Sequence, residues 1–374
     1  MEHNAFLFVN TALVMGCTAM AIVFLTLPLP YNQGLRSYRV SLRFLAGAYL
    51  SMAILKILMM VFDVAIVDMV SIIDLIIGSL QALLFTFTLI ALFNPLLMTK
   101  HFVFRHLLPI LVFTAIFIFV GFKCGNPQLS DFDALSREAL HPAVILRELL
   151  LVYYLFLLIY LTFLFRKEAQ IYEKELDNYF SDSFFLRLSW VRYCFYAALT
   201  VGIGALFSCF FFSVLWTWLF TIAYTIFYMF FGFYYIQYPR YFTYIQPVIY
   251  TPSNILDDVP KGHRRYVWEE LRLQILEGKY YLHNGVNIEE MAHFLKIGRT
   301  SLSNFVNNDE GMSFNSWINF LRVEEAKILL LKNPDCNLAQ IAEMVGYSES
   351  SNFSRQFKLF TRESPSVWRQ QHKL

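Results

Sequence analysis

Two ionisable side chains lie where such groups are expensive. Lys56 and Asp74 fall inside long apolar runs. A charge held in hydrocarbon without a partner is costly, so such residues pair with one another or serve a function. Lys56 lies six residues before the end of one run, near 40–62, and Asp74 is about as deep in the next, 69–93. Consecutive antiparallel helices would set the two at similar depth, so the spacing predicts a Lys56–Asp74 pair. It suits either a structural role, with the lysine stem snorkelling, or a ligand contact. No reactive grouping accompanies it: the chain has no Gly-rich phosphate loop, no kinase or response-regulator acidic cluster and no nucleophile elbow. Cys17, Cys124, Cys194, Cys209 and Cys336 show neither disulfide nor zinc spacing. The residues therefore predict no catalytic site, no metal and no cofactor, and the chain is not expected to be an enzyme.

The elements that position this pair follow from composition. The chain is 57% hydrophobic and 16% charged, far from a soluble average. The charge is also uneven, residues 1–236 holding 14 Lys/Arg and residues 261–374 holding 15 in half the length. Apolar runs of bilayer length (roughly 20 residues) recur near 5–29, 40–62, 69–93, 103–122, 147–165, 190–211 and 216–236. The first is preceded by Glu2 and His3 and followed by no small-residue cleavage site, so it reads as a retained span. Basic residues gather in alternate loops: Arg36, Arg39 and Arg43; Lys100 and Arg105; Arg166, Lys167, Lys174 and Arg187; then Arg240. The intervening loops carry Asp63 and Asp68, or more acids than bases in 123–146. The basic loops predict the N-terminus outside and the C-terminus in the cytoplasm of an inner-membrane protein.

Residues 238–265 contain Pro239, Pro247, Pro252 and Pro260, which forbid a continuous helix and make a semi-rigid connector. From Tyr266 the pattern turns helical and well punctuated. Tyr266–Glu277 is amphipathic, with Gly278 placed to cap its end. Two similar units follow, NIEEMAHFLKIGRTSLSNFV at 287–306 and NLAQIAEMVGYSESSNFSRQF at 337–357. Asn287 with Glu290, and Asn337 with Gln340, have capping-box spacing, and Val286 and Cys336 can staple to Met291 and Ile341. Ala292 and Ala342 are small where two helices must cross. This is a helix-turn-helix rhythm, repeated. Between the units, Ser313 can start and Pro334 stop a helix whose 314–331 stretch spans roughly 27 Å. Such a strut can hold two recognition helices in successive major-groove segments, about 34 Å apart.

The block FNSWINFLRVEEAKILL, the run IAEMVGYSESSNFSRQFK and the following SPSVWR resemble the AraC/XylS-type DNA-binding domain over roughly 266–374. Together with several spans, the architecture is similar to membrane-embedded AraC-like regulators. The resemblance implies that the second helix of each unit reads bases. It assigns Arg299, Thr300, Ser303 and Asn304 to the first reader, and Glu349, Ser350, Ser351, Ser354 and Arg355 to the second, with Lys358 on phosphate. The chemistry is apt, since Arg can take both guanine acceptors, Asn can pair with adenine, and Ser is permissive. Three positions depart from the family pattern. Lys296 stands where a turn glycine is usual, Gly298 where a capping Ser is common, and Arg362 where Gly precedes Ser364-Pro365. The second unit, with Gly346 and Ser348, is the closer match.

The expected fold is all-α: a transmembrane sensor domain of about seven spans (1–237), the Pro-rich linker (238–265) and a cytoplasmic domain of two helix-turn-helix units joined by a long helix (266–374). The expected function is transcription regulation, with a signal received in the membrane altering the assembly or placement of the DNA-binding half. Its implied partners are double-stranded DNA, the lipid bilayer, a second copy of the chain, and an unidentified signal ligand or membrane partner. The rival reading is a transporter or membrane enzyme fused to a regulatory helix-turn-helix domain.

Overall fold

The computed structural model describes residues 2–29, 35–61, 68–181, 189–210, 213–236 and 264–372. Among these residues the regular structure is helical, apart from one isolated bridge between Phe180 and Asn287. The chain divides into two compact units, Met1–Gln170 with Leu188–Pro247, and Ile171–Arg187 with Val248–Leu374. Most of the expected linker (238–263), and Arg187 and Arg240 among the orienting bases, lie outside the described residues.

The first unit contains α1 (Glu2–Thr26), α2 (Arg36–Val61), α3 (Ile72–Phe93), α4 (Lys100–Cys124), a short α5 (Phe132–Arg137), most of α6 (Pro142–Tyr179), α7 (Ser189–Ser208) and α8 (Val214–Ile236). Seven of these are long and apolar enough to cross a membrane. They coincide with the seven expected runs. Helix α3 is the central post, buried on nearly every face through Leu83, Phe87, Leu89 and Ile90, and α2 and α7 pack on it. Helix α4 is its opposite, burying only His106 and Ile110 and leaving Phe104, Leu108, Leu111, Ile116 and Phe119 exposed.

Several polar groups inside this apolar bundle bond to backbone oxygens or to one another, as burial favours. Tyr38 donates to Tyr235 O at 2.8 Å, and Tyr49 donates to Tyr228 O. Tyr228 in turn donates to Gln81 Oε1 at 2.7 Å, and Gln81 Nε2 donates to Ala48 O at 2.9 Å, lacing α2, α3 and α8 together. Arg147, fully buried, ties down the 123–146 segment. It pairs with Asp68 at 3.1 Å and donates to Pro127 O at 3.1 Å. Asp68 also accepts from Leu129 N–H at 2.9 Å.

The second unit takes in the end of α6 from Ile171, then α9 (Arg264–Gly278), a 3-10 turn (Tyr280–Leu282), α10 (Ile288–Phe294), α11 (Arg299–Asp309), α12 (Phe314–Lys332), α13 (Leu338–Met344), α14 (Ser350–Thr361) and α15 (Pro365–His372). Sequence alone places the division at the linker. The compact unit reaches back to 171 because Tyr179 and Phe180 pack into its core. That core holds Trp268, Met291, Phe305 and Trp317, and a second holds Val323, Ala326, Ile341, Phe353 and Phe357. Helix α12 belongs to both, its N-terminal half in the first and its C-terminal half in the second. Ser313 caps it by accepting from Ser316 N–H at 3.3 Å. The end of α9 falls one residue later than expected. Gly278 is still helical and touches Phe294, and Lys279 takes the left-handed cap with φ 48°.

Candidate nucleic-acid interface

Two helix pairs, α10–α11 and α13–α14, repeat one geometry. Asn287 and Asn337 cap the first helix of each pair, accepting from Glu290 N–H and Gln340 N–H, both at 2.9 Å. At Asn337 the box is reciprocal, Gln340 Oε1 accepting from Asn337 N–H at 2.9 Å. Val286 with Met291, and Cys336 with Ile341, share the two cores. Ala292 and Ala342 are buried at the helix crossings. Their carbonyls accept from the turn amides of Ile297 (3.0 Å) and Tyr347 (2.9 Å). Each turn needs one left-handed residue, supplied by Lys296 (φ 55°) in the first and Gly346 (φ 84°) in the second. The lysine adopts the conformation at a steric cost that glycine avoids. At Gly346 the demand is stricter, because an added Cβ would lie 2.4 Å from Leu282 O.

Helices α11 and α14 follow these turns. Gly298 begins α11 without a side-chain cap. The cap position of α14 is Glu349, not Ser348, and it too makes no side-chain cap bond. On α11, Asn304 is exposed, and Thr300 and Ser303 are half-buried, with Asn307 Nδ2 donating to Ser303 Oγ at 3.1 Å. On α14, Glu349, Ser351, Arg355 and Lys358 are exposed, and Ser350 and Ser354 are half-buried. Arg355 donates to Asn352 Oδ1 at 2.5 Å, which holds its guanidinium near the start of the helix.

Arg299 differs from the other assigned readers. It is half-buried, and its guanidinium lies 4.8 Å from the centroid of the Tyr179 ring. Tyr179 also donates its hydroxyl to Glu289 on α10. The residues after Tyr179 are clamped from two sides. Ser181 N–H donates to Val286 O at 3.1 Å, while Asn315 and Asn319 of α12 donate to Phe180 O (3.0 Å) and Ser181 O (2.9 Å). Asn319 also accepts from Tyr347 at 2.7 Å, so one amide joins the end of α6, the strut and the second turn.

Arg322, fully buried on α12, donates to Tyr281 O (2.8 Å) and His283 O (2.7 Å) and lies 5.2 Å from the Tyr347 ring centroid. Burial first, and the carboxylate of Glu325 second, push the Tyr281 phenol up to about 12, so this joint stays neutral at Tyr281. Sequence reasoning assigned no role to Tyr179, Asn315, Asn319 or Arg322. The visible signal was polar residues recurring on the apolar stripe of 314–332. Among the described residues no group of three or more His, Cys, Asp or Glu is placed to hold a metal ion.

Comparison with known proteins meets the same region. A family model described as a helix-turn-helix domain matches residues 291–371. The Msm operon regulatory protein of Streptococcus mutans is 24% identical over 121 residues, 31% of this chain and 43% of that one. The regulatory protein PocR of Salmonella typhimurium is 29% identical over 91 residues, covering 24% and 30%. The raffinose operon transcriptional regulatory protein RafR of Pediococcus pentosaceus is 33% identical over 85 residues, covering 23% and 30%. The chain thus spans less than half the length of these relatives. Among solved structures, the C-terminal domain of AraT, a response regulator from Geobacillus stearothermophilus, is 29% identical, with a TM-score of 0.26 over 29% of this chain and 87% of that one. Residues 291–371 are a helix-turn-helix domain of the AraC type, similar over that stretch to curated transcriptional regulatory proteins.

Proposed function

We propose that the chain is a one-component regulator anchored in the cytoplasmic membrane by α1–α4 and α6–α8, its N-terminus outside and its DNA-binding part in the cytoplasm. The membrane part receives a signal, and the DNA-binding part changes its hold on a bipartite operator. Base reading falls to Arg299, Thr300, Ser303 and Asn304 of α11 and to Glu349, Ser350, Ser351, Ser354 and Arg355 of α14, with Lys358 on phosphate.

One observation carries this reading. Helix α6 has 38 residues, about 57 Å at 1.5 Å each, where roughly 20 residues cross the hydrocarbon. Apart from Arg147 and Glu148, its stretch from Pro142 to Phe165 carries no charge. From Arg166 it carries Lys167, Glu168, Glu173, Lys174, Glu175 and Asp177, as suits water, and it ends with Tyr179 under Arg299. A single helix thus supplies both a span and the ring beneath an assigned base reader. The wide exposed apolar face of α4 supports a lipid environment, since soluble monomers seldom leave such a face open.

Reporter fusions test the topology. A cytoplasmic signal from a fusion after Tyr238 and an external one from the 123–146 loop are expected. External activity after Tyr238 sinks the proposal, because the DNA-binding part would never meet the chromosome. Mapping the DNA bound by the full-length protein in cells then tests the regulatory role. Occupancy concentrated at a few bipartite sites is expected, and uniform occupancy would count against sequence reading.

A further inference from the structure

The first unit encloses a cavity of about 160 Å³ among α2, α3, α6, α7 and α8. Most of its wall is apolar, with Phe85, Leu158 and Phe220 among the lining residues. Among its polar lining residues, two sets stand out. Gln81, Tyr154 and Tyr228 are already engaged, Tyr154 donating to Gly202 O at 3.1 Å and Tyr228 to Gln81 at 2.7 Å. Lys56, Asp74 and Tyr224 keep capacity in reserve. The Lys56 side chain is 10% exposed, and its ammonium lies 3.8 Å from Asp74 Oδ1, an ion-pair distance beyond hydrogen-bond reach. Among its contacts is a weak acceptor, Met59 Sδ at 3.7 Å. Asp74 is half exposed at the side chain. The Tyr224 hydroxyl is buried and makes no hydrogen bond of ordinary geometry, although it lies close enough to Lys56 to interact electrostatically.

We infer that this cavity is a binding site for a small uncharged molecule: one ring bearing a hydroxyl, held between Lys56, Asp74 and Tyr224. Three arguments converge on that class. The volume is close to that of an engineered cavity of ~150 Å³ that takes up benzene, so it admits a single ring. Lys56 and Asp74 together carry no net charge, and a charged guest would leave an unbalanced charge in an apolar space. A hydroxyl can accept from the Lys56 ammonium and donate to the Asp74 carboxylate at once, filling the gap that keeps them at 3.8 Å. Tyr224 then gains a hydrogen bond of ordinary geometry. The inference rests on the reading that this unit receives the signal, and it names the signal's chemistry.

The test uses the full-length protein in lipid nanodiscs and fluorine NMR of three matched probes, 4-fluorophenol, fluorobenzene and 4-fluorobenzoate, with empty nanodiscs correcting for partitioning. Saturable 4-fluorophenol binding, tighter than that of the other two, is expected. Tyr224→Phe removes a hydroxyl that makes no hydrogen bond of ordinary geometry, so the bundle is expected to fold as before while affinity falls roughly three- to tenfold, the worth of one hydrogen bond. Ala205→Leu, which adds bulk to the cavity wall, is expected to abolish saturation. The inference is overturned by an absence of saturable binding, by equal affinity for fluorobenzene, by tighter binding of the benzoate, or by unchanged affinity in both variants. The same nanodiscs are assayed for operator DNA. DNA binding without fluorophenol binding removes the cavity site alone, whereas loss of insertion or of DNA binding by the unmodified chain removes the regulator reading itself.

Discussion

Arg299 lies against a ring, and Arg355 stands exposed with one amide bond to its own helix. If it reads a base as proposed, the first must leave Tyr179 to do so, giving up a cation–π contact of about 0.5–1 kcal/mol. Tyr179→Leu in the full-length protein is therefore expected to tighten DNA binding roughly two- to fivefold, measured by titration on operator DNA. Weaker binding would show instead that the ring presents Arg299 to the DNA. For Arg355→Ala we expect a loss of about 1–3 kcal/mol and relaxed preference at one base position, whereas Lys358→Ala weakens all sequences alike and lowers the salt slope by about one. Equal losses on specific and random DNA for Arg355→Ala would reduce it to a phosphate contact. The helices that carry the proposed readers were legible because they follow turns that short motifs disclose. Tyr179 was not, because its partner Arg299 is 120 positions away and no local pattern links them. Asn319 and Arg322 were visible only as polar interruptions of an apolar stripe.

Helix boundaries were set largely by caps and turns, and there the sequence was most readable. Asn287, Asn337 and Ser313 begin helices where their side chains can accept a backbone N–H. The left-handed positions were readable in part. Lys296 and Arg362 (φ 55° and 70°) occupy conformations that cost a residue with a Cβ about 1–2 kcal/mol. Arg362→Gly is thus expected to raise stability by about 1 kcal/mol, seen as a higher urea midpoint with unchanged slope. Gly346→Ala should do the reverse and cost more than 1–3 kcal/mol of strain (roughly), because its Cβ would also strike the Leu282 carbonyl. A wild-type midpoint in Gly346→Ala would show that the turn can open without loss. The extension of α6 past 165 was missed because charges crowd it. Yet Phe165, Ala169, Tyr172, Leu176 and Tyr179, all buried, recur at alternating spacings of four and three. That stripe was the readable signal.

At the scale of the whole chain, composition alone separated a lipid-suited part from a water-suited one, since bilayer length and charge density differ so widely. What composition could not disclose is that the second unit is assembled from two stretches of sequence. A fragment covering 262–374 lacks Tyr179 and Phe180, and leaves Asn315 and Asn319 without the carbonyls they bind. Burial of two aromatic side chains is worth about 2–5 kcal/mol. A synthetic peptide covering 166–183 is therefore expected to raise the urea midpoint of that fragment in a concentration-dependent way. No shift at millimolar peptide would mean that the segment adds nothing to the domain's stability.

The same discontinuity sets a timetable. Ser181 leaves the ribosome 138 residues before Asn319, the amide that fastens it. At about 5–20 residues per second, that delay lasts roughly 7–30 s. During it, α7, α8 and the rest of the second unit up to α12 are still to be made. A chain that stalls or is cut short never closes the seam. Closure of the seam thereby waits on α12: a chain that stops short of Asn319 lacks the amide that fastens Ser181.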